Sequence, residues 1–162
     1  MRFDNVSAKT NGADADGVLG QPDFTTNIAN AAQNGMEAPS RVTADNKFCR
    51  LFVSDGYHFD RILIFNGPTG KANGGNADNV LGQTDFTSTG DGLAANRLNM
   101  DSSGGGMAWD PVNNCLVVSD QYNNRVLVFT DFNPASGCPY ADFSDGQGGG
   151  CFITTSNPLA HK

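Results

Sequence analysis

Two histidines, His58 and His161, are the only imidazoles in the 162 residues, which narrows the available chemistry at once. His58 stands in "GYHFD" with Tyr57 and Asp60 beside it, a grouping from which a general base or a metal ligand can be built. No GxSxG nucleophile elbow is present. The four cysteines, Cys49, Cys115, Cys138 and Cys151, form no CxxC pair and have no histidine at ligand spacing, so no zinc site is expected. Cys138 and Cys151 bracket "CPYADFSDGQGGGC", which can close as a small disulfide loop in an oxidising compartment. The other reading leaves all four thiols free, with Cys49 and Cys115 as small buried strand residues. "DADG" from Asp14 and "STGDG" from Ser88 are acidic and glycine-containing, but neither has the spaced ligand set of a calcium loop, so both read as turns. No catalytic residue, metal or cofactor is assigned.

A better candidate surface comes from residues that occur twice. "LFVSDGYHFDRILIF" from Leu51 returns as "LVVSDQYNNRVLVF" from Leu116, which matches Asp55 with Asp120, Tyr57 with Tyr122 and Arg61 with Arg125. His58 then falls opposite Asn123 or Asn124, so that loop position does not demand imidazole. Asp55, Tyr57, His58, Asp120, Tyr122 and Asn123 are expected side by side on one rim, where a protein or carbohydrate partner can reach them. The blander reading has both aspartates accepting backbone N–H groups in the turn, and Arg61 and Arg125 bridging neighbouring units.

The elements that must position these residues follow the same period. "VLGQPDF" from Val18 echoes "VLGQTDF" from Val80, "RVTAD" ending at Asp45 echoes "GMAWD" ending at Asp110, and "ADFSDGQ" from Ala141 is a worn copy of "ADNVLGQ" from Ala77. Strands are expected at Val42–Ala44, Leu51–Val53, Ile62–Phe65 and Val80–Gln83, then at Gly106–Trp109, Leu116–Val118, Val126–Phe129 and near Phe143. Helical periodicity is absent; "IANAAQNGMEAPS" and "GLAANRLNM" have room for a turn of helix each, limited by Asn, Gly and Pro. "RILIF" and "RVLVF" are unbroken apolar runs, as expected of strands covered on both faces. Four short antiparallel strands per unit with both faces covered describe an all-β fold, the four-stranded blade of a β-propeller. The divisions expected are 1–40 as a link and outer strand for a neighbouring blade, 41–88 and 89–147 as two blades, and 148–162 as a Gly-rich tail, all in one continuous repeat domain.

Composition excludes several partners. A net charge of -7 argues against phosphate-backbone binding, so nucleic acid is not expected. Apolar runs such as "VLVF" from Val126 are far below the roughly 18 residues of a membrane span.

"SDQYNNRVLVF", with "DPVNNCLVV" before it, resembles the core of an NHL repeat, and "ADNVLGQTDFTS" is similar to the links of bacterial NHL-repeat propellers. The resemblance runs over about Asp14 to Thr130. Two departures stand out: "DGYHFDRILIF" has Asp60 where the family favours Asn before Arg, and "LNMDSSGGGMAWD" has Asp101 where it usually shows Pro. The resemblance implies a ring of about six blades, whereas this chain carries two, an incomplete ring. Repeat architectures with fewer than about three units leave apolar flanks and a strand edge open. The chain is therefore expected to be a piece of a longer propeller, or to join copies of itself into a closed ring or an open filament. Val18, Leu19, Gly20, Gln21 and Phe24 are expected to add as an outer strand to a neighbouring blade, the alternative being a cap over their own unit. The function implied is a non-catalytic scaffold in an extracellular or cell-envelope setting. The alternative is a fragment of a propeller enzyme, a metal-dependent lyase or hydrolase, although the several axial histidines of such lyases are missing.

Overall fold

The computed structural model describes residues 2–132, whose strands form two antiparallel sheets. β1 (Pro39–Asp45), β2 (Arg50–Asp55), β3 (Arg61–Asn66) and β4 (Asn79–Leu81) are a meander in chain order. β5 (Met107–Asp110), β6 (Cys115–Asp120) and β7 (Arg125–Phe129) form a second, three-stranded one. The expected strand near Phe143, the Cys138 and Cys151 pair, His161 and the 148–162 tail lie outside the described residues. Among the described residues helix is limited to short 3-10 turns at Val6–Ala8, Pro68–Gly70 and Gln121–Asn123, and neither alanine-rich link forms a helix. No helix among the described residues is long and apolar enough to cross a membrane.

The hairpins close by the same device in both sheets. Asp45 Oδ1 accepts the N–H groups of Lys47 (3.0 Å) and Phe48 (3.4 Å), and Asp110 Oδ1 accepts those of Val112 (2.9 Å) and Asn113 (3.2 Å). Each loop then turns through a left-handed residue, Cys49 at φ 49° or Asn114 at φ 51°. Cys49 is disulfide-bonded, so the reading with four free thiols does not hold, while Cys115 is a free, buried thiol.

Strand register separates the apolar side chains into two clusters. Phe52 pairs with Ile64 across β2 and β3, and together with Ile62 they meet Leu98, Met100, Leu116 and Val118, so the two sheets share one core. Val53 pairs with Leu63, and with Phe65 they form the opposite face, which packs against Met36, Ala77, Leu19 and Val80. β3 is thus buried on both sides, as its sequence requires. β7 is not: Val126 and Val128 are 61% and 57% exposed, and only Leu127 and Phe129 face the shared core. The sheets approach one another through their first strands, β1 and β5.

Between them lies a buried ion pair that the pattern of apolar residues does not announce. Arg50 Nη2 is 2.6 Å from Asp45 Oδ2, with 3% and 1% of the two side chains exposed. The guanidinium lies 5.0 Å from the Trp109 ring, 5.1 Å from Phe132 and 5.2 Å from Phe48. Trp109 stacks on Phe52 at 5.2 Å, a packing role.

Among the described residues, 18–24 add to no sheet edge. Gly20 at φ 85° bends the backbone, and Pro22 has no N–H to give a ladder. The segment lies instead as a cap on its own first unit: Leu19 packs in the second cluster, the Val18 N–H donates to Asn73 Oδ1 (3.1 Å), and the Gly74 N–H donates to the Val18 carbonyl (3.0 Å).

Candidate functional site

The repeated phrase positions the loops. Gly20 and Gly82 share a left-handed conformation, φ 85° and 84°, and each backbone presses on the next link, at Met36 and Leu98 respectively. A Cβ on Gly82 would fall inside the van der Waals envelope of Leu98 Cδ1. At the sixth residue of the phrase the carboxylates cap a turn: Asp23 Oδ1 accepts the N–H groups of Thr25 (2.8 Å) and Thr26 (2.7 Å), and Asp85 Oδ1 those of Thr87 (2.8 Å) and Ser88 (2.7 Å). The threonine hydroxyls and N–H groups hold the Asp23 carboxyl down at about 2, and hydrogen bonds from Ser88 and Thr87 push Asp85 the same way. Gln83, 5% exposed, donates to the carbonyls of Phe59 (3.0 Å), Asp60 (3.2 Å) and Gly90 (2.7 Å) and accepts from Arg97. It fixes the β2–β3 loop against the link between the sheets.

Of the six rim residues expected from the repeat, three reach solvent and three are committed to structure. Asp55 and Asp120 are fully buried at the ends of β2 and β6. Asp55 Oδ1 accepts the N–H groups of Glu37 (2.8 Å) and Ala38 (2.9 Å), and its Oδ2 accepts Arg61 Nε at 3.0 Å. Burial outweighs these bonds and raises the Asp55 carboxyl above its ordinary range. Asp120 Oδ1 accepts the Asn99 N–H (2.7 Å) and its Oδ2 accepts Arg125 Nε (2.6 Å). Asn123 donates to Asp120 Oδ2 (2.9 Å) and the Gly92 carbonyl (2.7 Å). Among the described residues the hydrogen bonds of Arg61 and Arg125 go to links rather than to the strands of the other sheet. Arg61 gathers the carbonyls of Ala31 and Gly35 (both 2.9 Å), and Arg125 those of Leu93 (2.6 Å), Ala94 (2.9 Å) and Arg97 (3.0 Å). Each Asp–Arg pair pins the link that leads into its own unit.

Tyr57, His58 and Tyr122 are the rim residues left for binding. They line a cleft of about 630 Å³ between the β2–β3 loop, the β6–β7 loop and the 89–102 link. Tyr57 and Tyr122 are 55% and 59% exposed. His58 Nδ1 is 2.9 Å from Glu37 Oε1, and its ring lies 3.8 Å from that of Tyr57. Tyr57 and Asp60 both adopt positive φ, 66° and 42°, an unusual density of left-handed side-chain-bearing residues in one short loop.

At the bottom of the cleft sits Asp60, which the pairing of repeats passes over because its counterpart, Asn124, carries no charge. Asp60 is 3% exposed, and its Oδ1 accepts the Met100 N–H at 2.6 Å. Burial raises its carboxyl to about 6; the charges of Asp91 and Asp120 add to the effect, while the Met100 N–H and His58 oppose it. Among the described residues no three His, Cys, Asp or Glu side chains converge to hold a metal ion. No family model matches the chain, and no curated protein matches it.

Proposed function

We propose that the chain is a pair of NHL-like propeller blades that acts as a non-catalytic scaffold, joined head to tail to copies of itself. One observation carries this reading. The face of the first sheet built from Phe52, Ile62 and Ile64 is covered by the second sheet, and the matching face of the second sheet, with Val117, Val126 and Val128, has its β7 residues in solvent. An apolar face of the same make, open on one sheet and covered on the other, fits a further sheet of the same kind.

The edge beside that face supports the same partner. On the first sheet Leu81 pairs with Ile62 and Val80 with Leu63, whereas β7 pairs among the described residues with β6 alone. The "VLG" of residues 18–20 repeats the "VLG" of residues 80–82. In the assembled form it leaves its cap position, and Leu19 of the next copy sits opposite Val126 and Val18 opposite Leu127. Such a contact is heterologous, giving a ring where the rotation closes and a filament where it does not.

Cysteines placed at the two proposed partners test this: Leu19→Cys with Val126→Cys should give chains linked to one another under oxidation, resolved on a non-reducing gel. Only single-chain bands, at protein concentrations where the parent chain assembles, would reject the exchange.

A further inference from the structure

We infer that the cleft between Tyr57 and Tyr122 binds a protonated amine, with Asp60 as its anionic anchor. The inference stands apart from the scaffold reading, since it concerns one chain and its own cleft.

The volume, about 630 Å³, falls within the roughly 300–1,000 Å³ usual for small-ligand sites. Asp60, Asp91 and Asp101 line it, and among the described residues no Lys or Arg does. Two of those carboxylates have polar partners at hand: Asp91 Oδ2 accepts Asn99 Nδ2 at 2.9 Å, and Asp101 accepts the N–H of Ser103 at 2.7 Å. Asp60 differs in its burial: it is 3% exposed, whereas Asp91 is exposed and Asp101 half-buried. Its Oδ1 holds the Met100 N–H, and its Oδ2, with no hydrogen-bond partner among the described residues, is not sealed in the interior but opens on the cleft that the side chain lines. A carboxylate stripped of most of its water gains more from an arriving cation than an exposed one does.

The chain contains its own control for this position. Asn124 occupies the matching place before Arg125, also left-handed, at φ 52°. The turn is therefore served by a neutral amide, and the charge at Asp60 adds nothing to its geometry. What the charge adds is attraction for a cation at the base of a cleft whose two lips are exposed phenol rings, faces that favour an organic ammonium. A bare metal ion is the poorer fit, because the carboxylates do not converge for chelation. A neutral sugar would leave Asp60 uncompensated. The amine belongs either to a free diamine or to a lysine side chain on a partner polypeptide; both present the same –NH3+ group to Asp60.

Calorimetric titration of the whole chain with cadaverine and with Nα-acetyl-lysine amide separates the two sources. Saturable binding of cadaverine alone assigns a free amine; binding of the lysine amide assigns a lysine side chain. In either case Nα,Nε-diacetyl-lysine amide, which carries no ammonium, should fail to bind, Asp60→Asn should weaken binding at least tenfold, and affinity should fall as pH drops through about 6, where burial, helped by Asp91 and Asp120 and opposed by the Met100 N–H and His58, brings Asp60 to take up its proton. No saturable binding by either amine, or undiminished binding by Asp60→Asn, overturns the inference. Should Asp60→Asn fail to fold by circular dichroism, Tyr122→Ala decides: a several-fold loss is expected, and unchanged affinity rejects the site.

Discussion

Replacing Asp55 by Ala should destabilise the chain far more than replacing Asp120, although the two residues are copies of one another. Both aspartates are fully buried, and both pair with the arginine that opens the following strand. The difference lies in what is left behind. Arg61 has 0% of its side chain exposed, so without Asp55 its charge stays in the interior uncompensated, and the Glu37 and Ala38 N–H groups lose their acceptor. Breaking a buried ion pair in this way costs about 3–5 kcal/mol. Arg125 keeps 27% of its side chain exposed, so it can hydrate, and Asp120→Ala orphans chiefly the Asn99 N–H, a loss of about 1–2 kcal/mol. Asp55→Asn separates charge from hydrogen bonding. It keeps an acceptor for the two N–H groups yet leaves Arg61 unpaired, and it should lose most of what Asp55→Ala loses. Urea unfolding followed by fluorescence of Trp109, the only tryptophan, gives the three values directly from midpoints at constant slope. Losses for Asp55→Ala and Asp120→Ala that agree to within about 1 kcal/mol would refute the reasoning.

Other outcomes follow from single features. Asp60→Asn should stabilise the chain above about pH 6 and make no difference near pH 4. The folded carboxyl titrates at about 6 against 3.8 when unfolded, so wild-type stability drops as pH rises through that window while the variant's does not. Thermal melts at several pH values check the sign. Arg50→Ala, which strands the buried Asp45 and empties the space between Trp109, Phe132 and Phe48, should cost about 3–5 kcal/mol in the same urea assay. Gly82→Ala should destabilise more than Gly90→Ala: both glycines have positive φ, but only Gly82 also presses on Leu98, while Gly90 has open space around it. Equal losses at the two glycines would remove the close approach from the account.

Much of the fold is legible in the sequence because strand and turn signals are local. "RILIF" reads as a strand buried on both faces and is one. "RVLVF" reads the same way, yet half of it is open, because a strand's own sequence does not record whether both of its faces find a cover. The aspartates of the rim are visible as repeats, but repetition does not distinguish a ligand-facing carboxylate from one that pins a loop; burial does, and it depends on links whose path no periodicity reveals. Asp60 escapes for the opposite reason: it breaks the repeat, facing Asn124 in the other unit. Its departure from the pattern of the repeat that the sequence resembles, like that of Asp101, is the available signal, and both residues line the cleft. Residues 18–24 repeat the phrase that begins in β4, but among the described residues they pair with no strand and rest on the nearest apolar face, through Leu19.

The central claim is that the open face of the second sheet is made for another sheet of the same kind. Sedimentation velocity over a wide range of concentrations tests it most directly, with the parent chain beside Val126→Glu/Val128→Glu. The parent should form species heavier than one chain, and two carboxylates on that face should return it to a single chain without changing its circular dichroism. A parent that sediments as one chain throughout, indistinguishable from the variant, would contradict the account.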